Sequence, residues 1–196
     1  VTKSGSERIV VGITGASGAL YGVRSLAMLA AKGFETHLIL SKTGKQVIEL
    51  ETDYRVRDVE AMASRTYDDE DLAAPLASGS FLTAGMIIAP CTMKTLSGVA
   101  NSYAGNLIER AADVTLKERR RLVLVVRETP LHKGHLRLMM QAADMGAHIL
   151  PPIPAFYHRP ASIDDLIDQT VGKILDFLGV EHDLLKRWEG GKPWTP

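Results

Sequence analysis

One cysteine, Cys91, stands among 196 residues, so no disulfide can form within the chain and no site built on several cysteines can hold a metal. Such sparing use of cysteine fits a reducing cytoplasm. Net charge is missing as well. The 23 acidic side chains balance 23 basic ones, whereas coating nucleic acid takes a surplus of Lys and Arg to displace phosphate counterions. Any anion bound here must therefore be held by a local cluster of donors. No apolar run approaches the roughly 20 residues of a membrane-spanning helix. The opening VTKSGSE lacks the apolar stretch of a secretory signal, and residues 1–7 are expected to be a loose terminus. Repeats, low-complexity tracts and linkers are absent, so 1–196 reads as a single domain with one well-buried core.

What is present is an alternation. RIVVGIT, ALYGVRSLAMLAAKG, ETHLILS and KTGKQVIELE switch between short β-branched runs and longer amphipathic ones, the pattern of a parallel sheet covered by helices. SRTYD, GMIIAP, RLVLVV and AHIL continue the strands. Helices are expected around 94–99, 107–118, 135–145 and 163–178. LVLVV is apolar on both alternating faces, as a strand between two helix layers should be. The most irregular stretches are 68–80, RETPLHKG and PPIPAFYHRP. The last two follow strands, at the carboxyl ends where open α/β sheets bind ligands.

GITGASG runs from the first strand into a helix and aims free backbone N–H groups and the positive end of the helix dipole at one point, which suits a phosphate. Gly15 and Gly18 permit close backbone approach, and Ser17 offers a hydroxyl donor or a helix cap. The spacing G-x-x-G-x-x-G departs from the dinucleotide fingerprint. No acid closes the second strand, which ends LILSK and puts Ser41 where the ribose-binding carboxylate would stand. A mononucleotide is therefore favoured over NAD.

A second set of anion donors is scattered over ASGS (77–80), Arg110, Lys117, VRE and FYHR. Arg127 and Glu128 come straight off an apolar strand, and Arg110 and Lys117 share one helix face two turns apart. A carboxylate such as Glu128, next to cations and a bound phosphoester, could pass a proton to a leaving group. His132 and His135 sit at i, i+3 in HKGH without an obvious third metal ligand, and no metal is expected. Cys91, right after IIAP, reads as a small buried hydrophobe rather than a nucleophile. GASG does not match the hydrolase elbow G-x-S-x-G.

GITGASGALYG, HLILSK, ELETD, ASGSF, PCTMKTLSG, NLIERAADVTLKERRRLVLVVRETPLH and PPIPAFYHRP together resemble the UbiX-type flavin prenyltransferases, a family long called aromatic acid decarboxylases, over nearly the whole chain. The resemblance implies a Rossmann-like, doubly wound and mainly parallel α/β sheet in the order 3-2-1-4-5-6, with helices on both faces. It implies that a dimethylallyl group from dimethylallyl phosphate is joined to reduced FMN, without a metal, to build a fourth ring. It also implies a homo-oligomer, a dodecamer, that passes prenylated FMN to a UbiD-type decarboxylase, as in ubiquinone synthesis.

By the same resemblance, Gly15, Ala16 and Ser17 match the loop on the FMN phosphate side, Ser41 closes on the flavin's sugar chain, and Thr92, Met93, Lys94 and Thr95 form a second FMN-contacting turn. Arg127 matches the flavin-binding arginine, and Tyr157 and Lys173 match a pair that contacts dimethylallyl phosphate. Ser78, Arg110, Lys117 and Glu128 match the rest of the prenyl-phosphate pocket, with Glu51 and Trp188 nearby. Glu128, Lys117 and Glu51 are the expected catalytic groups. Lys173 replaces an arginine of some relatives and loses the bidentate grip on phosphate. Two rivals are weighed. An FMN-dependent decarboxylase of the cysteine-peptide type needs a PASANT-like turn with a functional Asn, where this chain has Lys94 and Thr95. A flavin carrier without chemistry leaves Lys117, Glu128 and Tyr157 without a task.

Overall fold

The computed structural model describes residues 7–185, 187 and 190; Trp188 and most of the expected loose terminus lie outside the described residues. Glu7, the described end of that terminus, is already tied in, its carbonyl accepting the Glu35 N–H at 3.1 Å. Strands β1 (Arg8–Ile13), β2 (Glu35–Leu40), β3 (Arg65–Asp68), β4 (Gly85–Cys91), β5 (Arg121–Val126) and β6 (His148–Ile149) form one sheet. Its order is β3-β2-β1-β4-β5-β6, and every pairing is parallel.

Alternation along the strands separates two apolar layers. Ile9, Val11 and Ile13 of β1 pack with Val23 and Leu26 of helix α1 (Ala19–Ala31) and Val171 and Ile174 of helix α7 (Ile163–Leu178). Val10, Met86 and Ile88 point the other way. They pack with Leu96 of α4 (Met93–Ala100), Ile108 of α5 (Leu107–Lys117) and Ala142 of α6 (Lys133–Asp144). Leu122 to Val126 of β5 are all buried, as a strand covered on both faces requires.

Side-chain caps decide where most helices begin. Ser41 opens α2 (Lys42–Glu51), Thr92 opens α4, Asn106 opens α5 and Ser162 opens α7, each accepting a backbone N–H of the first turn. His132 opens α6 through Nδ1, which accepts from Gly134 N at 3.0 Å, so that helix begins at Lys133, ahead of His135. Two details depart from the sequence expectation. The short helix α3 (Val56–Glu60) has too few residues to show a period. AHIL yields only the two-residue edge strand β6, paired to Val123 and Leu124.

Candidate active site

Backbone bonds hold the carboxyl ends of four neighbouring strands level. Ser41 N donates to Ile13 O (3.1 Å), Thr14 Oγ1 donates to Pro90 O (2.7 Å), Thr92 N donates to Thr14 Oγ1 (2.9 Å) and Arg127 N donates to Cys91 O (3.1 Å). Gly15 to Ser17, Ser41 to Gly44, Thr92 to Thr95 and Arg127 therefore share one rim. It is centred on the β1/β4 gap, where the strand order reverses and a crevice opens. The first two turns touch: a Cβ on Gly15 would collide with the Thr43 side chain, so only glycine fits there.

Helices α1, α2 and α4 all present their N-termini to this rim, and none carries an acidic residue in its first turn. Their dipoles thus point positive ends at the rim, and the carboxylate of Glu51, from the far end of α2, opposes them there. On α4 the cap is supplied by Thr92 Oγ1, which accepts from Thr95 N. The Lys94 side chain turns away to the buried carboxylate of Glu109, 3.4 Å distant, so its backbone N–H is what it offers at the rim.

At α1 the structure decides between the two expectations for Ser17, whose hydroxyl donates to Glu51. Ser17 does not cap the helix. The N-cap is Gly18, with φ of 102°, and the acceptor comes from Glu51, the last residue of α2. Glu51 Oε2 accepts from Gly18 N (2.7 Å) and Ala19 N (3.3 Å), so the N–H groups expected to face a phosphate already hold a carboxylate. Partial burial pushes the Glu51 carboxyl up, but hydrogen bonds from Ser17, Gly18 and Ala19 and the nearby charge of Arg127 outweigh it and hold the group below its ordinary value. Glu51, Ser17 and Arg127 are therefore one cluster. A cleft of about 620 Å³ opens beside Glu51, lined by Leu20, Leu50, Thr52, Asp53 and Tyr54.

Glu128 is exposed, and one of its oxygens accepts its neighbour's N–H, from Thr129 at 2.9 Å. Among the described residues it makes no ion pair with Arg127 or Lys117, so it is not a structural counter-ion for either. Cys91 is fully buried and its thiol pKa is pushed far up by burial, in keeping with a small hydrophobe. The His132 and His135 rings lie against each other at a tilt of 32°, with centroids 3.6 Å apart. Among the described residues no group of three or more His, Cys, Asp or Glu side chains is placed to hold a metal ion.

Within one chain the second set of anion donors divides between the two ends of the sheet. Helix α5 runs back along the sheet, so Lys117 in its last turn lies beside the amino end of β5, while Arg127 and Glu128 follow its carboxyl end. Six strand residues separate the two ends by about 20 Å. Ser78 goes with Lys117: its Oγ lies 2.8 Å from Ser80 Oγ, and Gly79 between them abuts the Lys117 and Glu118 side chains, which pair with each other. Arg110 is higher on α5, donating to Ala77 O (3.1 Å) and paired with Asp113 (2.7 Å). Lys173 sits nearly three turns along α7, 3.9 Å from Asp176. Tyr157 lies in the exposed loop between β6 and α7. Sequence reasoning missed Arg120, which grips the Ser78 turn by its backbone; nothing local in the sequence distinguishes it from the adjacent arginines.

A parallel sheet with the N-termini of α2 and α4 and an arginine at its topological switch point defines an α/β protein built to hold a phosphorylated mononucleotide. Comparison with known proteins narrows this. The Flavoprotein family matches residues 1–177. Flavin prenyltransferase UbiX of Escherichia coli (strain K12) is 57% identical over 187 residues, covering 94% of this chain and 99% of that protein. Among solved structures, AnUbiX (PadA1) in complex with FMN and dimethylallyl pyrophosphate superposes with a TM-score of 0.94 at 48% identity, covering 96% of this chain and 100% of that one. A dodecameric FMN-dependent UbiX-like decarboxylase from Escherichia coli O157:H7 gives 0.91 at 49% identity, covering 93% and 100%. The chain belongs to the flavoprotein family and, within it, to the UbiX-type flavin prenyltransferases. Peptidyl-cysteine decarboxylase EpiD, at 13% identity and a TM-score of 0.64, shares the fold alone. The prenyltransferase reading is thereby favoured over the cysteine-peptide decarboxylase. No helix of the described residues is long and apolar enough to cross a membrane.

Proposed function

We propose that this chain joins the dimethylallyl group of dimethylallyl phosphate to reduced FMN, and that each active site is completed by a neighbouring subunit. The observation that carries the second half is the separation of the two clusters: Arg127, Glu128 and Glu51 gather at one end of the sheet, and Ser78 and Lys117 gather at the other. A single chain cannot bring them together, whereas a symmetric assembly can place one subunit's amino end against another's rim. The exposed Ile153, Phe156 and Tyr157 beyond β6 supply apolar area for such a contact. The dodecameric relative supports an assembly of that size.

The donors at the rim fit FMN. Backbone N–H groups of the Ser41 and Thr92 turns suit its phosphate and ring carbonyls, and Arg127 suits the electron-rich end of the flavin. Bound there, reduced FMN supplies the nucleophilic ring atoms for the new bonds. Breaking the allylic C–O bond leaves both electrons on the phosphate, and Arg110 and Lys117 of the neighbour stabilise that charge best where water is excluded. Tyr157 shelters the allyl cation by its π face, and Lys173 adds a further cation toward the phosphate. Because arginine and lysine clamp a monophosphate leaving group, no step calls for a divalent ion. Glu51, held ionised by its hydrogen bonds, serves as a proton acceptor, and Glu128 exchanges protons with the departing phosphate. The product, prenylated FMN, goes to a UbiD-type decarboxylase, and an acceptor that must stay reduced suits the cytoplasm.

Anaerobic incubation with reduced FMN and dimethylallyl phosphate, followed by mass and absorbance spectra of the recovered flavin, tests the activity. A flavin heavier by one isoprene unit is expected; unaltered FMN contradicts the reading. A parallel incubation with the pyrophosphate separates the two possible donors.

A further inference from the structure

Three carbonyls of the segment before β4 are held by arginines of α5 and the turn that follows it. Ala77 O accepts from Arg110 Nε (3.1 Å), Gly79 O from Arg120 Nη2 (2.7 Å) and Phe81 O from Arg120 Nη1 (2.8 Å), which also reaches Thr83 Oγ1 (3.3 Å). One guanidinium thus spans two alternate carbonyls, a task for its rigid planar fork that a lysine cannot perform. The residues between these carbonyls, Ser78 and Ser80, are left with their hydroxyls facing each other beside Lys117. A Cβ on Gly79 would come within 2.7 Å of Lys117 Nζ and would strike Glu118, so turn and lysine are in direct contact.

The position of Arg120 is itself fixed. Helix α5 ends with Arg119 in the left-handed region (φ 55°), with Arg119 N donating to Leu116 O (2.9 Å) and Arg120 N to Thr115 O (2.9 Å). This pair of bonds is a Schellman closure, which turns the chain sharply and sends the half-buried Arg120 side chain across to the Ser78 segment. The exposed Arg119 next to it makes no side-chain contact with that segment among the described residues. Clamping a turn from behind, through its carbonyls, orients its hydroxyls without using them.

We propose that Arg120 is a positioning residue for prenyl-phosphate binding: its fork holds the Ser78–Ser80 turn against Lys117, so that hydroxyls and ammonium present one preformed anion cradle to the neighbouring subunit's site. This rests on the reading that Ser78 and Lys117 complete that site. The cradle's contribution is to capture of the phosphoester, because Arg120 itself lies behind the turn and touches no reacting atom.

Steady-state and single-turnover prenyl transfer by the intact oligomer, with reduced FMN and dimethylallyl phosphate, tests this with Arg120→Gln, Arg120→Lys, Ser78→Ala and the double variant Arg120→Gln/Ser78→Ala. Arg120→Gln is expected to raise the half-saturating dimethylallyl phosphate concentration about tenfold, with FMN affinity and the saturated rate within about threefold of the parent. Arg120→Lys should fall between, since it keeps the charge but only one carbonyl contact. The double variant should be little worse than the more affected single one, because both substitutions remove the same cradle. An unchanged half-saturation in a folded Arg120→Gln or Arg120→Lys oligomer overturns the proposal, as does strict additivity with Ser78→Ala. Lys117→Met separates the two ideas. If neither it nor Ser78→Ala raises the half-saturating concentration, the shared-site reading fails and this proposal with it; if both do and the Arg120 variants do not, this proposal alone fails.

Discussion

Glu51 is the residue whose place most changes the picture of the glycine loop. Its carboxylate sits where an incoming phosphate was expected, bound by the N–H groups of Gly18 and Ala19 and drawn toward Arg127. Its pKa is lowered from the ordinary 4.5, so the folded state binds fewer protons than the unfolded chain over that window. The stability it contributes is fully present above about 4.5, and it is lost as pH falls through the lowered folded value. Thermal melts between about pH 3 and 7 should therefore show a flatter acid limb for Glu51→Gln than for the parent; parallel curves would remove Glu51 from the α1 cap. Glu128 gives a kinetic counterpart. Since no ion pair among the described residues employs it, Glu128→Gln should leave FMN affinity within a few-fold while single-turnover transfer at saturating dimethylallyl phosphate drops about 10²-fold, as for a lost acid–base group. A parental rate in stopped-flow mixing would reject that role.

At the level of elements, the sequence was most readable where a local cause sets the boundary. Ser41, Thr92 and Ser162 each stand at a helix start, and RLVLVV and 163–178 are the observed β5 and α7. The rim at the carboxyl ends followed from the strand-to-helix turns, because such turns carry their N–H groups with them. Contacts between distant turns were not readable. Glu51 reaches α1 across 33 residues because of where α2 happens to end, and periodicity carries no such information. That Lys117 and Arg127 lie at opposite ends of the sheet was readable, however. A helix connecting parallel strands runs opposite to them, so a residue in its last turn belongs near the amino end of the next strand. The Schellman closure of α5 gives a test of its own. An L-residue at φ 55° costs roughly 1–2 kcal/mol, partly offset by the unfolded-state freedom that glycine adds. Arg119→Gly should therefore raise stability by about 0.5 kcal/mol in denaturant titration, with m unchanged; a loss of stability would mean that Arg119 makes a contact worth more than its strain.

For the whole molecule, the two halves of the site are about one strand length apart, and that distance turns a question of catalysis into one of assembly. The rim with Glu128 and the turn with Lys117 belong to different subunits in the proposed site, so damage to each should be separable. Oligomers of Glu128→Gln alone and of Lys117→Met alone are each expected to be nearly inactive. Co-expression followed by measurement of prenylated FMN by mass spectrometry tests the shared site most directly. Random co-assembly leaves about one site in four with an intact rim facing an intact cradle, so the mixed oligomer should recover about a quarter of the parental transfer rate. Mixed oligomers no more active than their two parents would contradict the account.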